Sequence, residues 1–374
     1  MEVEIITFFN HKGGVAKTTN AFHLGWKLAE GGARVLLVDA DSQCNLTGLA
    51  MGLTPPDVED DSSDDEVGLA SGAPGEFVEF QKKTVKFWEE VKDENIYSAL
   101  APVFNSEPVP LRPVECRRVS GNENLFLLPG SLDFASFESD LALAHSLQGS
   151  LGSQRNLPGA IYALLTRTGE ALGADYLIVD VSPSLGAINQ NIVAISDQVI
   201  IPCSPDYFSQ MALSSLKSIL PSWKAAALEL SHRPQIQAAT YPFPEPKFKF
   251  GGIVISRYVI YKKKPARAFR AWIDNVIAEC RDELVPALGA AGLLFAEENY
   301  RDAGMLPDYT LAQVREFNSL RPKSQLYGVP TFALTKEQIG LKGRSLDNSL
   351  DQVEESNQVF SEFARKVQSL TGIA

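Results

Sequence analysis

Short apolar, β-branched runs alternate along the chain with longer segments whose apolar residues recur at helical spacing. Strands are expected at EIITFF (4–9), RVLLVD (34–39), NLFLLP (124–129), YLIVDV (176–181), QVIIPC (198–203) and GGIVIS (251–256). Several are apolar on both faces, the pattern of strands buried within a parallel sheet. Helical spacing falls over 18–30, 134–146, 156–171, 208–230 and 265–288. A closing helix over 353–370 places Val353, Phe360, Phe363, Val367 and Leu370 near one face. This alternation predicts an α/β fold of three layers, a mainly parallel twisted sheet with helices on both faces.

Two segments depart from the pattern. PPDVEDDSSDDEVGLASGAPGE (55–76) puts seven acidic residues into positions 57–66 among Pro, Ser and Gly, a composition that buries no core and reads as a flexible loop. KFKFGGIVISRYVIYKKKPARAFR (247–270) carries eight Lys and Arg and no acid. The net charge of −12 argues against a protein that coats nucleic acid over its whole surface, while leaving a local basic patch open. No run of 18 apolar residues occurs, so no membrane-spanning helix is expected. The opening residues read as a first strand rather than a signal peptide. Cys44, Cys116, Cys203 and Cys280 are scattered without metal or redox spacing, as free thiols of a reducing compartment are.

HKGGVAKTT (11–19) lies between the first strand and the first helix, where a phosphate loop belongs. Backbone N–H groups at a helix N-terminus point at an anion, and the helix dipole favours its charge. Gly13 and Gly14 permit close approach, Lys17 neutralises β- and γ-phosphates, and Thr18 ligates Mg²⁺. The general pattern G-x-x-x-x-G-K-[ST] is nevertheless broken, with His11 and Ala16 at its glycine positions. Alanine fits there when the local φ is helical. Two strand ends add carboxylates where open α/β sheets bind ligands. Asp39 is placed near the metal, and Asp41 to orient or polarise an attacking water. Asp180 ends another apolar strand as the metal-side acid, followed by Ser-Pro-Ser-Leu-Gly, a turn placed to sense the γ-phosphate. The ends of the strands at 198–203 and 251–256 are placed to line a base pocket.

KGGVAKTT resembles the deviant Walker A motif, K-G-G-x-x-K-[ST], of the ParA/MinD group of P-loop ATPases. VLLVDADSQCNLTGL resembles the second motif of its ParA branch, DYLIVDVSPSLGAINQN its Walker B region, and DQVIIPCSPDYFSQMALSSL the strand and helix that follow. The resemblance covers 1–50 and about 95–220 and extends loosely over 250–335. It implies one P-loop ATPase domain over 1–374 with an acidic, flexible insertion at 55–93. It implies ATP and Mg²⁺ as cofactors, with nucleotide contacts from Gly13, Gly14, Val15, Ala16, Lys17, Thr18, Thr19, Pro205 and Arg257. The metal falls to Thr18, Asp39 and Asp180, and catalysis to Lys12, Lys17 and Asp41. In that family the extra lysine, here Lys12, reaches the phosphates held by a partner subunit in an ATP-sandwiched dimer. Ser42 and Cys44 replace the usual Pro and Gly of the second motif, and Val259 stands where the pattern has Asp.

The resemblance further implies a homodimer formed with ATP, non-specific DNA binding in that state, and release when a ParB-like or adaptor protein stimulates slow hydrolysis. The basic patch for DNA is Lys262, Lys263, Lys264, Arg267 and Arg270, with Lys247 and Lys249 nearby. Localisation is then cytoplasmic and nucleoid-associated, without a membrane partner. A positioner of protein assemblies that does not itself bind DNA, a small-molecule ligase or synthetase on the same P-loop scaffold, and a non-enzymatic scaffold with a retained nucleotide are the alternatives. The C-terminal stretch is mixed in charge, unlike the basic amphipathic tail of a membrane switch.

Overall fold

The structure is a computed structural model that describes residues 3–53, 74–147, 152, 154–261, 264–265, 267–317 and 319–372. Ten strands are described: β1 Glu4–Phe8, β2 Val35–Ala40, β3 Arg117–Arg118, β4 Leu125–Leu128, β5 Tyr176–Val181, β6 Gln198–Cys203, β7 Lys249–Tyr258, β8 Ile260–Tyr261, β9 Lys264–Pro265 and β10 Thr310–Arg315. Eight of them form one sheet in the order β10-β7-β6-β1-β5-β2-β4-β3. Its neighbours run parallel except for the edge pair β3 and β4. β8 and β9 make a separate antiparallel ribbon.

The three layers follow from strands that are apolar on both faces. Along β1, Ile5 and then Phe9 point into one core, and Ile6 and Phe8 into the other. The first core packs beneath helices that include Phe137–Leu147, Leu157–Leu172, Ala187–Ile195 and Tyr207–Ser231. The second is covered by the first helix, Lys17–Glu30, and the closing helix, Gly343–Thr371. β1 therefore lies mid-sheet, between β5 and β6, and delivers the loop at its C-terminal end to the centre of the sheet edge.

All six expected strands are present, β5 and β6 with the expected bounds. The expected helix over 265–288 is broken by a π turn at Glu279–Leu284, which separates Arg267–Ala278 from Val285–Ala290. The closing helix starts ten residues earlier than expected, at Gly343. Its first half is hydrophilic, with half-buried Leu346, Leu350 and Val353 beside buried Ser349 and Ser356, so the apolar period emerges late. Most of the acidic segment, 54–73, lies outside the described residues. The remainder of the expected flexible insertion differs: Pro74–Glu90 forms a helix. Lys83 fixes it to the body by donating to the carbonyls of Met51 (3.2 Å) and Gly52 (3.1 Å). Among the described residues, no helix is long and apolar enough to cross a membrane.

Candidate functional site

The loop 9–16 leaves β1 and turns sharply into the first helix. Asn10 ties it to the sheet, donating from Nδ2 to the Pro202 carbonyl at 2.7 Å and accepting at Oδ1 from the Lys12 N–H at 2.9 Å. Lys17 is buried beneath the loop, and its Nζ donates to the carbonyls of Asn10 (3.1 Å) and Lys12 (3.4 Å). Burial lowers its pKa, and Asp180 and Asp41 oppose that shift. A cation held by neutral carbonyls beside a helix N-terminus is poised for an anion.

Ala16 corrects an expectation. Its φ of 64° is left-handed, not helical, a region that costs an L-residue about 1–2 kcal/mol. Cys44, which stands where the second motif usually has glycine, has φ 54°. Arg257 has φ 67°. Among the described residues, three of the five non-glycine residues with positive φ thus lie in or near the phosphate loop, and strain of this kind gathers at ligand sites.

The structure brings Thr18 and Asp180 together, with Thr18 Oγ1 donating to Asp180 Oδ2 at 2.6 Å. Asp180 is fully buried, and its Oδ1 has no hydrogen-bond partner. Burial, and then Asp39 beside it in register on β2, push its pKa up to about 8. A buried carboxylate oxygen without a partner, beside a hydroxyl and facing a phosphate loop, fits a hard divalent cation such as Mg²⁺.

Asp39 is placed differently from Asp180. Its Oδ2 accepts from both the backbone N–H (2.7 Å) and the hydroxyl (2.6 Å) of Thr47, and Oδ1 from the Asp41 N–H at 3.3 Å. Burial pushes its pKa up to about 7. Gly130 packs so closely that a Cβ there would lie 2.9 Å from Asp39 Cγ. The carboxylate is thus consumed in holding the helix Asn45–Ala50 to the sheet. Asp41, two residues on, faces the phosphate side, its Oδ1 held by the Gln43 N–H at 3.0 Å.

A cavity of about 350 Å³ runs from the phosphate loop along the first helix. Gly14 to Asn20, Asp41, Gln43 and Pro183 form its phosphate end. Ser256, Arg257, Val314 to Phe317, Arg321, Ser324 and Gln325 form the other end. Arg257 bridges the two, donating from Nη1 to the Gly14 carbonyl at 2.7 Å while its Nε lies 3.6 Å from Glu316. Lys12, Gly13, Pro205, Asp39 and Asp180 do not line the cavity. Pro205 is buried next to Asp206, the residue that holds Lys12. The wall formed by Val314 to Phe317, Arg321, Ser324 and Gln325 begins at the end of β10 and carries no motif in the sequence. The alternation of Thr310–Arg315 was the only local sign of that strand, and six residues of it are a weak one.

Of the basic patch, Lys262 and Lys263 lie outside the described residues, and Lys264 is in β9. Arg267 and Arg270 are exposed on the helix Arg267–Ala278. Lys247 pairs with Asp197 at 2.8 Å, and Lys249 donates to the Gly292 carbonyl at 2.7 Å, so both serve their own fold.

A mainly parallel sheet with helices on both faces, and a lysine-bearing phosphate loop at the end of its central strand, is the fold of P-loop NTPases. The chain belongs to the family AAA_31, described as an AAA domain, whose model matches residues 3–228, and it is a ParA-type member of the P-loop ATPases. It is 29% identical to the sporulation initiation inhibitor protein Soj of Bacillus subtilis over 57% of this chain and 63% of Soj, less than two thirds of that relative's length. It is 26% identical to the chromosome-partitioning ATPase Soj of Treponema pallidum over 68% of this chain and 78% of that protein. A Borrelia burgdorferi structure described as a plasmid partition protein bound to AMPPNP shares the fold at TM-score 0.50 and 18% identity, over 95% of this chain and all of that one.

Proposed function

We propose that this chain is an ATP-dependent dimerising switch of ParA type, which binds DNA non-specifically in its ATP state and is released by partner-stimulated hydrolysis. One observation carries the reading: Lys17 is held under the loop by carbonyls alone, beside the Thr18–Asp180 pair with its partnerless Oδ1. Both groups gain a partner when a metal–triphosphate binds. Bound Mg²⁺ supplies charge neutralisation to the β- and γ-phosphates. Thr18 and Asp180 hold the metal, while Lys17 leaves its carbonyls for phosphate oxygens. Asp41 orients the attacking water from the cavity edge.

In a single chain Lys12 is folded back on Asp206, away from the cavity. A second copy facing the phosphate loop gives that lysine a phosphate to contact. Arg267 and Arg270, with the lysines at 262–264, offer DNA a cationic segment that dimerisation doubles. The name of one relative, a chromosome-partitioning ATPase, supports a role in partitioning. On this reading the cargo is DNA or an assembly moved over the nucleoid, and a ParB-like or adaptor protein stimulates hydrolysis.

Co-sedimentation with DNA at two salt concentrations tests this, with ATP, ADP or no nucleotide, on wild type and Asp41→Ala. Salt-sensitive binding confined to ATP and prolonged in the variant is expected. Equal binding in all nucleotide states, or none, overturns the DNA switch.

A further inference from the structure

The loop after β5, Ser182–Gly186, reaches the phosphate end of the cavity through Pro183. Pro183 also faces the phosphate loop itself, since a Cβ added to Gly13 would sit 3.9 Å from its ring. The far end of this loop has no cap of its own. The helix Ala187–Ile195 begins after Gly186, which has no side chain to offer the first N–H groups. Helix N-termini leave such donors unsatisfied unless something outside the helix accepts from them.

Glu138 accepts them. It stands 49 residues earlier in the chain, on the helix Phe137–Leu147. The Ala187 N–H donates to its Oε1, and the Ile188 N–H to its Oε2 at 3.2 Å. A carboxylate at a helix N-terminus makes charge-assisted hydrogen bonds and complements the dipole. Gly186 is the residue that lets it in, because a Cβ there would lie 2.4 Å from Glu138 Oε1. From the first turn of the same helix, Asn189 reaches back to the loop. Its Nδ2 donates to the carbonyls of Ser182 (2.7 Å) and Ser184 (2.9 Å), which flank Pro183. Contacts thus run from Glu138 to the helix start, to Asn189, to the loop, and on to the phosphate site.

We propose that Glu138 is a positioning residue for phosphoryl chemistry at this cavity. Through Ala187–Ile195 and Asn189 it holds the Ser182–Gly186 loop against the phosphate loop, at the end where the γ-phosphate of a bound triphosphate lies. Glu138 itself touches neither nucleotide nor metal. The inference rests on the nucleotide-hydrolysis reading above and adds to it a residue outside every motif of the phosphate site.

The test compares wild type, Glu138→Ala, Gly186→Asp and the double variant by single-turnover ATP hydrolysis, MgATP affinity and thermal melting. Glu138→Ala is expected to slow hydrolysis about 10- to 100-fold while MgATP affinity stays within about threefold, as misplacement of a reacting centre does. Gly186→Asp alone displaces the flexible end of Glu138 and supplies a local cap in its place, so its hydrolysis is expected to stay near that of wild type. Combined with Glu138→Ala, the aspartate has room, its backbone is already extended (φ −74°, ψ 173°), and it caps the helix locally. The double variant should therefore recover hydrolysis. Undiminished hydrolysis in folded Glu138→Ala overturns the proposal. So does a double variant that recovers its melting temperature without its rate, because the rate then does not depend on the helix cap. Absence of turnover in wild type with MgATP bound removes the hydrolysis reading and this inference together, whereas wild-type turnover that Glu138→Ala matches removes this inference alone.

Discussion

Lys12 Nζ lies 2.6 Å from Asp206 Oδ1, a contact between residues 194 positions apart that holds the signature lysine away from the phosphate cavity. Ser209 adds a second acceptor at 3.1 Å. Asp206 also caps the helix Tyr207–Ser231, accepting from the Ser209 N–H at 2.8 Å. The acid that restrains the lysine is therefore the acid that begins the following helix.

That dual role makes Asp206→Asn an informative variant. Asparagine caps helices as well as aspartate does, so the melting temperature should change little, while the ion pair is lost. If Lys12 must leave Asp206 to serve a second copy, ATP-dependent self-association should tighten about two- to fivefold, the worth of a partly exposed ion pair. Sedimentation over a concentration series reads this directly. An unchanged association constant would show that the pair places no restraint on the lysine.

Ala16 and Cys44 carry left-handed backbone at positions where glycine relieves it. Ala16→Gly is expected to stabilise the protein by up to about 1 kcal/mol, the left-handed cost less the extra freedom glycine gives the unfolded chain. Urea denaturation measures the gain. Loss of stability would mean that the alanine methyl packs usefully.

Asp39 and Asp41 should separate in their effects although they are two residues apart. Asp39→Ala strips the acceptor from both donors of Thr47 and should cost about 2–4 kcal/mol of stability. Asp41→Ala should leave the melting temperature nearly unchanged and lower ATP turnover at least tenfold. A paired melting and turnover measurement on the two variants decides it. Equal stability losses would place Asp41 in the same structural network.

His23 supplies a pH dependence. It is fully buried, bonded through Nδ1 to the Thr19 carbonyl and through Nε2 to the Thr331 N–H, and burial pushes its pKa down to about 3. The unfolded chain takes up this proton near pH 6.5 and the folded chain does not. Its contribution to stability is therefore complete above about pH 6.5 and lost as pH falls toward 3, about 2 kcal/mol of it by pH 5. Buried His145, with its pKa lowered to about 4, adds in the same direction. Denaturation at pH 7 and pH 5 should show a smaller difference in His23→Asn than in wild type. Parallel losses would assign the acid sensitivity to other groups.

Local chemistry was readable along the chain. Both-sided apolar runs such as YLIVDV are buried whichever way the chain turns, and a loop ending in Lys-Thr-Thr between a strand and a helix meets the same backbone donors in any such fold. Hence β1 and the loop between it and the first helix are legible in the sequence, and Lys17, Thr18 and Asp180 stand out there by residue type and position. Other features required the packed chain. Asp39 and Asp41 look alike in VLLVDADS, and only Thr47 and Gly130 closing on one of them sets their roles apart. The handedness of Ala16 is likewise decided by where the loop must rejoin the helix. The cavity wall from Val314 to Gln325, the Lys12–Asp206 pair and the cap from Glu138 join residues that are distant in sequence, and no periodicity or motif links them. Residue type and spacing are enough for interactions a few positions long. A contact across many tens of residues exists only once the sheet order has brought its two ends together.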